Sequence, residues 1–329
     1  MKRVDLTKEG SAVPPIGLHY EALYGSAGSA TRALWEQVFT EDTAAFLDYY
    51  YREKIMDAHI HVLKDESGSM ISMVHANPYD VMVHGVRRST YYMVGVATAQ
   101  PYRHRGCMAF LLQKAILQAK REGCPFVFLM PADAAIYEPF GFRYGGTISV
   151  WERSAALKAR MTQNRMHAPS YVQAAEWDHV RLSAYTEADA AALAAYAGKT
   201  LAERYDTYCV HDEAYFGRLS RELASENGGI YLLWKREQKE THTTAAAGKQ
   251  RMKSGAAPAG EGVKAGNQMK ETLCGYFCYA CEAEEYLQEV VADREAEALF
   301  VEKSRQERIM FLSLEETCPY GRTYFPEIV

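Results

Sequence analysis

Between residues 91 and 121 the chain passes from a strand-like segment through a short loop into an amphipathic helix, and this passage restricts its fold most. Tyr91–Thr98 has the apolar character of a strand, and apolar residues then return at helical spacing. The apolar face of this helix consists of Met108, Leu111, Leu112, Ala115, Ile116 and Ala119. Lys120 and Arg121 suit a last helical turn, and Gly123 suits the residue beyond it. We therefore predict a helix whose N-terminus opens onto the loop after a strand.

Other predicted elements surround this passage. Leu34–Arg52 has helical spacing, which predicts one or two opening helices. The strand-like segments that follow are Ala58–Lys64, Met70–Ala76 and Val81–Val83, separated by turn signals such as Asn77-Pro78. After the passage we predict a buried strand at Phe126–Met130, a short helix around Ala132–Glu138 and a strand pair near Phe142–Trp151. Residues 1–152 are thus predicted to form an α+β domain with an antiparallel meander.

The second half is predicted to form a related domain. Residues 153–170 are polar and basic and are interpreted as a linker, and residues 171–329 as the second domain. Its predicted elements are helices at Glu187–Arg204 and Asp212–Ser225 and strands at Ile230–Lys235 and Leu273–Cys281. Two helices followed by two strands echo the first half and suggest an internal duplication. Residues 237–270 have almost no large apolar side chains and are predicted to form a mobile surface insertion.

Composition argues against several classes of function. The 329 residues carry a formal net charge of −5 with no dense Lys/Arg block, which disfavours nucleic acid or a membrane surface as partner. We predict no signal peptide from residues 1–10, and no run of about 18 apolar residues occurs that would span a bilayer. Seven cysteines, an odd number, favour a reducing, cytoplasmic location. Cys274 and Cys278 are predicted to share one strand face with Cys281 on the other, so no metal site is predicted.

The segment Gly95–Met108 carries the clearest chemistry. A helix N-terminus presents unpaired N–H groups and the positive end of the helix dipole, and both favour phosphate. Gly106 lets a pyrophosphate approach the backbone closely, and Arg103 and Arg105 add positive charge. Taken alone, the Arg-x-Arg-Gly tetrapeptide is more typical of a solvated basic turn. The neighbouring motifs therefore decide how it is interpreted.

Four motifs in order resemble the GNAT superfamily of N-acetyltransferases. Arg103 and Gly106 occupy fixed places of its Arg-x-x-Gly-x-(Gly/Ala) acetyl-CoA signature, with a methionine at the last, usually small, position. Gly95–Thr98 and Phe126–Pro131 match the strands that flank this loop in the family. Ile136–Phe142 resembles the family's Tyr-x-x-x-Gly-Phe segment. The resemblance implies a GNAT fold, with a mixed, mostly antiparallel central sheet flanked by helices.

The chain is also similar to the Eis-type (enhanced intracellular survival) tandem acetyltransferases. The similarity rests on Leu34-Trp35, on the run Tyr49–Tyr51 and on a second GNAT-like half. Those enzymes usually append a sterol-carrier-like third domain, for which this sequence has no room. The second half lacks a counterpart of the Arg103–Met108 loop, which implies a degenerate domain without cofactor.

The resemblance implies a cofactor site and a general acid. Acetyl-CoA would be the co-substrate, and the backbone of Val96, Ala97 and Thr98 would pair with its pantetheine arm. The residues expected to hold the pyrophosphate are Arg103, His104, Arg105, Gly106, Cys107, Met108 and Ala109. Tyr137 would protonate the departing thiolate, because a phenol of pKa near 10 is well matched to an alkyl thiol. The alternative for Tyr137 is a core aromatic beside Phe140 and Phe142.

Several groups are candidates for the base that deprotonates the attacking amine. By analogy with the Eis-type enzymes it would be the carboxylate of Val329. His59 and His61, which share one strand face, and Glu138 are further candidates, although each is more typical of a solvated or hydrogen-bonded side chain.

The favoured function is acetyl transfer from acetyl-CoA to a primary amine on a small molecule or peptide. A non-catalytic acyl-CoA-binding or scaffold protein is the alternative from another class, and a nucleic-acid module is disfavoured by the net charge. Aminoglycosides, peptide or protein lysines and polyamines all remain open as acceptors. An assembly of identical chains is also compatible with the sequence.

Overall fold

A computed structural model describes residues 13–164, 170–174, 179–237, 270–281, 285–315 and 320–326. The strands are β1 (Leu18–Tyr24), β2 (His59–Asp65), β3 (Met70–Val83), β4 (Val86–Thr98), β5 (Phe126–Leu129), β6 (Arg143–Arg153), β7 (Ser170–Val172), β8 (Val180–Ala184), β9 (Thr207–Cys209), β10 (Gly229–Glu237), β11 (Lys270–Cys281), β12 (Glu285–Ala292), β13 (Phe300–Ser313) and β14 (Thr323–Tyr324). The α-helices are α1 (Arg32–Val38), α2 (Ala44–Arg52), α3 (Cys107–Arg121), α4 (Ala134–Tyr137), α5 (Ala155–Asn164), α6 (Ala190–Arg204) and α7 (Glu213–Ser225). Val329 and residues 238–269 of the predicted insertion lie outside the described residues.

The described strands form one sheet in the order β1-β2-β3-β4-β5-β13-β6-β12-β11-β10-β8-β7, with β9 joining β3 and β14 joining β9. Strands β1 to β4 are an antiparallel meander, and β4 pairs with β5 in parallel. The predicted mixed, mostly antiparallel sheet is therefore confirmed. Helices α1 and α2 cover one face of β2 to β4, and α3 covers the other.

The third strand is longer than predicted. Asn77-Pro78 was expected to end a strand, but β3 runs through it, and Pro78 lies opposite Tyr91 of β4. On its other edge β3 pairs with β2 only as far as Ala76 and with β9 only from Val81. Pro78 therefore lies in a stretch with a partner on one side, where a missing N–H costs least. The predicted turn was wrong for this reason.

The first half receives a strand from the second. The strand pair predicted near Phe142–Trp151 was wrong, because this segment is the single strand β6, and its partners are β13 and β12 from the second half. Strand β13 lies between β5 and β6 and bonds to both. The boundary predicted at residue 152 stays a prediction, and it falls next to the last residue of β6. Residues 155–164 of the predicted linker form α5, whose Leu157 is buried in a core of the second half.

The second half has its predicted helices and strands as α6, α7, β10 and β11. One detail is corrected. Cys274 packs on one side of the sheet with Phe277, whereas Cys278 packs on the other side with Tyr276. A β-bulge opposite Leu233 and Trp234 shifts the register by one residue beside Cys274. Because a shift of one residue exchanges the faces of a strand, the two cysteines do not share a face.

Candidate active site

A bulge interrupts β4 just before the loop that the sequence marks. Met73 of β3 lies opposite Ala97, but His75 lies opposite Val94, so β4 has one extra residue here. Gly95 has φ +57°, and a Cβ on it would lie 2.5 Å from the Trp35 ring. Both the conformation and the contact require glycine. A bulge bends its strand, and β4 changes direction here while it stays paired with β3 at Ala97 and Thr98.

Beyond this bulge β4 and β5 separate. They pair in parallel only at Tyr91–Val127 and Tyr92–Phe128. In the described part of the chain, residues 94–98 of β4 have no strand on the β5 side. Predicted cofactor residues Val96, Ala97 and Thr98 lie along this opening. Their backbone groups can pair with an extended ligand in the manner of an added strand.

Helix α3 begins directly beyond the opening. Its first intrahelical bond joins the N–H of Phe110 to the carbonyl of Gly106 at 3.0 Å, so the amides of residues 106–109 have no partner within the helix. Gly106 is the N-cap with φ +83°, and no side chain caps this end. Helices α2, α4 and α7, by contrast, are capped by Thr43, Asp133 and Asp212. An anion can therefore bind the α3 N-terminus without displacing a protein group.

The loop residues form an exposed basic edge around this terminus. Arg103, His104, Arg105 and Gly106 are exposed. The Arg103 Nε donates to the carbonyl of Thr98 at 3.2 Å, and the Arg105 guanidinium lies 5.2 Å from the centre of the Tyr102 ring. The loop is thereby tied to the end of β4, while its charges remain open to solvent. Cys107, Met108 and Ala109 point inward and pack on the core beneath α3.

Tyr137 belongs to the same core, on α4. It is buried, its ring centre lies 6.0 Å from that of Phe142, and both rings pack in the cluster that holds Cys107 and Phe110. Burial raises the pKa of Tyr137 to about 12, so the hydroxyl is protonated at neutral pH. The structure thus brings Tyr137 and the α3 N-terminus into one cluster.

Comparison with known proteins agrees with this arrangement. The family model of the acetyltransferase (GNAT) domain matches residues 26–145, which include the bulge, the loop, α3 and Tyr137. Over these residues the chain is similar to GNAT acetyltransferase domains. No curated protein matches the chain by sequence.

The GNAT likeness of fold extends beyond this domain. A probable N-acyltransferase from Enterococcus faecalis matches with a TM-score of 0.60 and 12% identity, over 90% of this chain and 73% of that one. A GCN5-related N-acetyltransferase from Kribbella flavida has a TM-score of 0.57 and 14% identity, over 90% and 72%. Eis1 from Mycobacterium abscessus has a TM-score of 0.55 and 10% identity, over 90% and 73%. The predicted GNAT fold and Eis-like architecture are confirmed.

Two of the other candidate bases are unfavourably placed, because His59 lies far from the α3 N-terminus and His61 is buried. His59 contacts Gln118 and Glu122, in the last turns of α3. These turns lie about 18 Å from Gly106 at 1.5 Å per residue. His61 is buried, with Nδ1 2.9 Å from the Tyr20 hydroxyl, and burial lowers its pKa to about 4. Glu138 is exposed beside Tyr137.

The second half differs from the GNAT domain where α3 would be. After β12 the chain forms only a four-residue 3-10 helix, Ala296–Leu299, before β13 begins. Such a turn offers no equivalent of the glycine-capped, 15-residue helix α3. The segment also carries Asp293, Glu295 and Glu297, and its arginine, Arg294, has no glycine beside it.

The sequence pointed to the loop, but it did not show what surrounds the loop. Trp35 contacts Gly95, and its Nε1 donates to Asp42 at 2.6 Å. The ring centre of Phe325, close to the chain end, lies 4.8 Å from that of Phe128 of β5.

Among the residues that the structure describes, no group of three or more His, Cys, Asp or Glu could hold a metal ion. Nor does any described helix have the length and apolarity to cross a membrane.

Proposed function

We propose that this protein transfers the acetyl group of acetyl-CoA to a primary amine. The observation that carries the proposal is the opening between β4 and β5, which leads directly to an uncapped helix N-terminus in an exposed basic loop. Pantetheine would pair with Val96, Ala97 and Thr98, and the pyrophosphate would bind the amides of residues 103–109. One chain would bind one acetyl-CoA, since only the first half carries this loop.

The reaction needs one proton donor and one proton acceptor. The amine nitrogen attacks the thioester carbonyl, the C–S bond breaks, and the thiolate takes a proton from the Tyr137 hydroxyl. Burial keeps this phenol protonated, and it also makes proton donation to a thiolate uphill. Tyr137 would therefore act late, when charge on the sulfur has developed. The carboxylate of Val329 remains our proposal for the base.

A cytosolic location is part of the same proposal. Cys107, Cys124, Cys209, Cys274 and Cys278 are buried free thiols, and Cys281 is partly exposed and also free. Such thiols persist most readily in a reducing compartment.

Release of free CoA tests the proposal against a protein that only binds acyl-CoA. With saturating acetyl-CoA and a pool of primary amines, we expect thiol release that depends on the amines, and one bound acetyl-CoA per chain by calorimetry. Binding without amine-dependent release would identify a binding protein. Two equivalent sites per chain would contradict the degenerate second half.

A further inference from the structure

A second groove lies on the α3 side of the sheet, away from the β4–β5 opening. It has a volume of about 410 Å³, within the range of roughly 300–1,000 Å³ typical of small-molecule pockets. Its lining residues are Tyr20, Tyr24, His61, Lys114, Leu117, Gln118, Arg121 and Glu122. Lys114 is eight residues beyond Gly106, about 12 Å along the helix, so the groove is separate from the cofactor loop.

One wall of the groove is aromatic because of strand alternation. Tyr20 and Tyr24 of β1 lie opposite Leu63 and His59 of β2, on the face that α3 covers. Ala22, between them in the same row, contributes only a methyl group opposite His61. Two phenol rings therefore flank a gap. Tyr24 is 53% exposed, which is more than expected for a tyrosine that only packs in a hydrophobic core.

The helical wall is cationic and apolar. Lys114, Leu117 and Arg121 follow one another at spacings of three and four residues, so they share one face of α3. The Lys114 ammonium lies 5.6 Å from the centre of the Tyr20 ring and 5.1 Å from that of Phe110. Neither Lys114 nor Arg121 forms an ion pair with a described residue.

The remaining polar groups favour an anion. Glu122 is the one carboxylate that lines the groove, and it already accepts from the Tyr91 hydroxyl at 2.5 Å and from Gln118 Nε2 at 2.9 Å. His61 is 2% exposed, Tyr20 engages its Nδ1, and its Nε2 has no partner among the described residues. The groove therefore has two cations, Lys114 and Arg121, and one carboxylate that is already hydrogen-bonded. The buried His61 side chain is neutral at physiological pH.

We propose that this groove binds a small aromatic carboxylate. The ring would stack between Tyr20, Tyr24 and Leu117, and the carboxylate would accept hydrogen bonds from Lys114 and Arg121. The side-chain contacts that form this groove do not depend on the proposed acetyl transfer.

Calorimetric titration of the full chain with benzoate tests this assignment. We expect saturable binding of benzoate at millimolar or lower concentration, unchanged by saturating acetyl-CoA, and much weaker binding of acetate and of the cation benzamidine. Lys114→Met should weaken benzoate binding about fivefold to tenfold, the usual effect of one partly exposed charged contact. Tyr24→Ala should weaken it similarly. Lys120→Met, on the exposed part of the same helix, is the matched control and should bind benzoate as the wild type does.

The assignment would be overturned by absence of benzoate binding, by competition between benzoate and acetyl-CoA, or by equal affinity in Lys114→Met and Lys120→Met. Preference for benzamidine would show that the groove selects cations instead. None of these measurements requires turnover, so they remain informative if the proposed acetyl transfer fails.

Discussion

Tyr137 differs from the other residues proposed for the site because its ring is buried while its proposed role concerns only the hydroxyl. Tyr137→Phe preserves the ring contact with Phe142. If the hydroxyl is the acid, turnover with saturating substrates should fall by roughly 10²–10⁴. Acetyl-CoA affinity and melting temperature should change little. Steady-state rates, with chemistry limiting, together with calorimetry, measure both.

Tyr208→Phe is the matched control for this variant. Tyr208 is as deeply buried, at 6% against 9% exposed, but it lies on β9 in the second half. We expect it to keep wild-type turnover. If Tyr137→Phe also kept wild-type turnover, Tyr137 would be a core aromatic only.

His61 and His75 predict how stability depends on pH. Burial lowers their pKa values to about 4 and about 3, below the 6.5 of an unfolded histidine. The unfolded chain therefore binds protons first as the pH falls. The stability contributed by the neutral rings is complete above about pH 6.5 and is lost as the pH falls through about 4. For His61 the loss amounts to about 3 kcal/mol.

Urea unfolding between pH 7 and pH 4 measures this effect. The free energy of unfolding should decrease toward pH 4 less steeply in His61→Gln than in the wild type, because one titrating group has been removed. Equal slopes would show that another group is responsible.

At the scale of elements, helix α3 carries a left-handed glycine at each end. Gly106 has φ +83° and Gly123 has φ +75°, and a Cβ at either position would meet no atom within 4 Å. A side chain at either position therefore costs backbone strain of about 1–2 kcal/mol without a clash. The two positions differ because the pyrophosphate of acetyl-CoA is proposed to bind at Gly106, whereas no ligand is proposed at Gly123.

Gly106→Ala and Gly123→Ala form a pair that separates strain from binding. We expect similar losses of melting temperature in both variants. Only Gly106→Ala should weaken acetyl-CoA binding, by about tenfold or more, because its methyl group would crowd the pyrophosphate. Calorimetric titration checks this. If affinity were unchanged in Gly106→Ala, the phosphates would have to bind elsewhere.

At the scale of the whole molecule, β13 makes the two halves interdependent. Met310, Phe311 and Leu312 are buried in core clusters of the first half, although they lie about 160 residues beyond β6 in sequence. A fragment of residues 1–152 lacks these side chains and the partner strand of both β5 and β6. We expect this fragment to unfold without cooperativity in urea, or to be insoluble.

A rejoined fragment provides the control. Phe300 lies opposite Arg153 in the antiparallel pair of β6 and β13, so an Asn-Gly turn can connect them. Residues 1–153 joined in this way to residues 300–326 should be soluble and unfold cooperatively. Cooperative folding of residues 1–152 alone would show that β13 is dispensable.

Elements with local signals can be recognised from the amino-acid sequence alone. Helix α3, its glycine ends, strand β2 and the last part of β4 follow from side-chain period and from the conformations that only glycine adopts easily. The same local signals predicted the Arg103–Met108 loop and Tyr137 as site residues, and both stay predictions. This is why the family resemblance was visible without a structure.

Contacts between distant segments, by contrast, follow from tertiary packing. In β13 the residues from Val301 to Glu307 are exposed, so the segment shows no apolar alternation, and its register depends on β5 and β6. The bulge beside Cys274 and the passage of β3 through Pro78 likewise depend on which neighbours bond at that position. The contact of Trp35 with Gly95 joins a helix to a strand 60 residues later. The spacing of apolar residues indicates which face of a strand each side chain occupies. Pairing between distant strands depends instead on which backbone N–H and C=O groups of the assembled sheet are still without a partner.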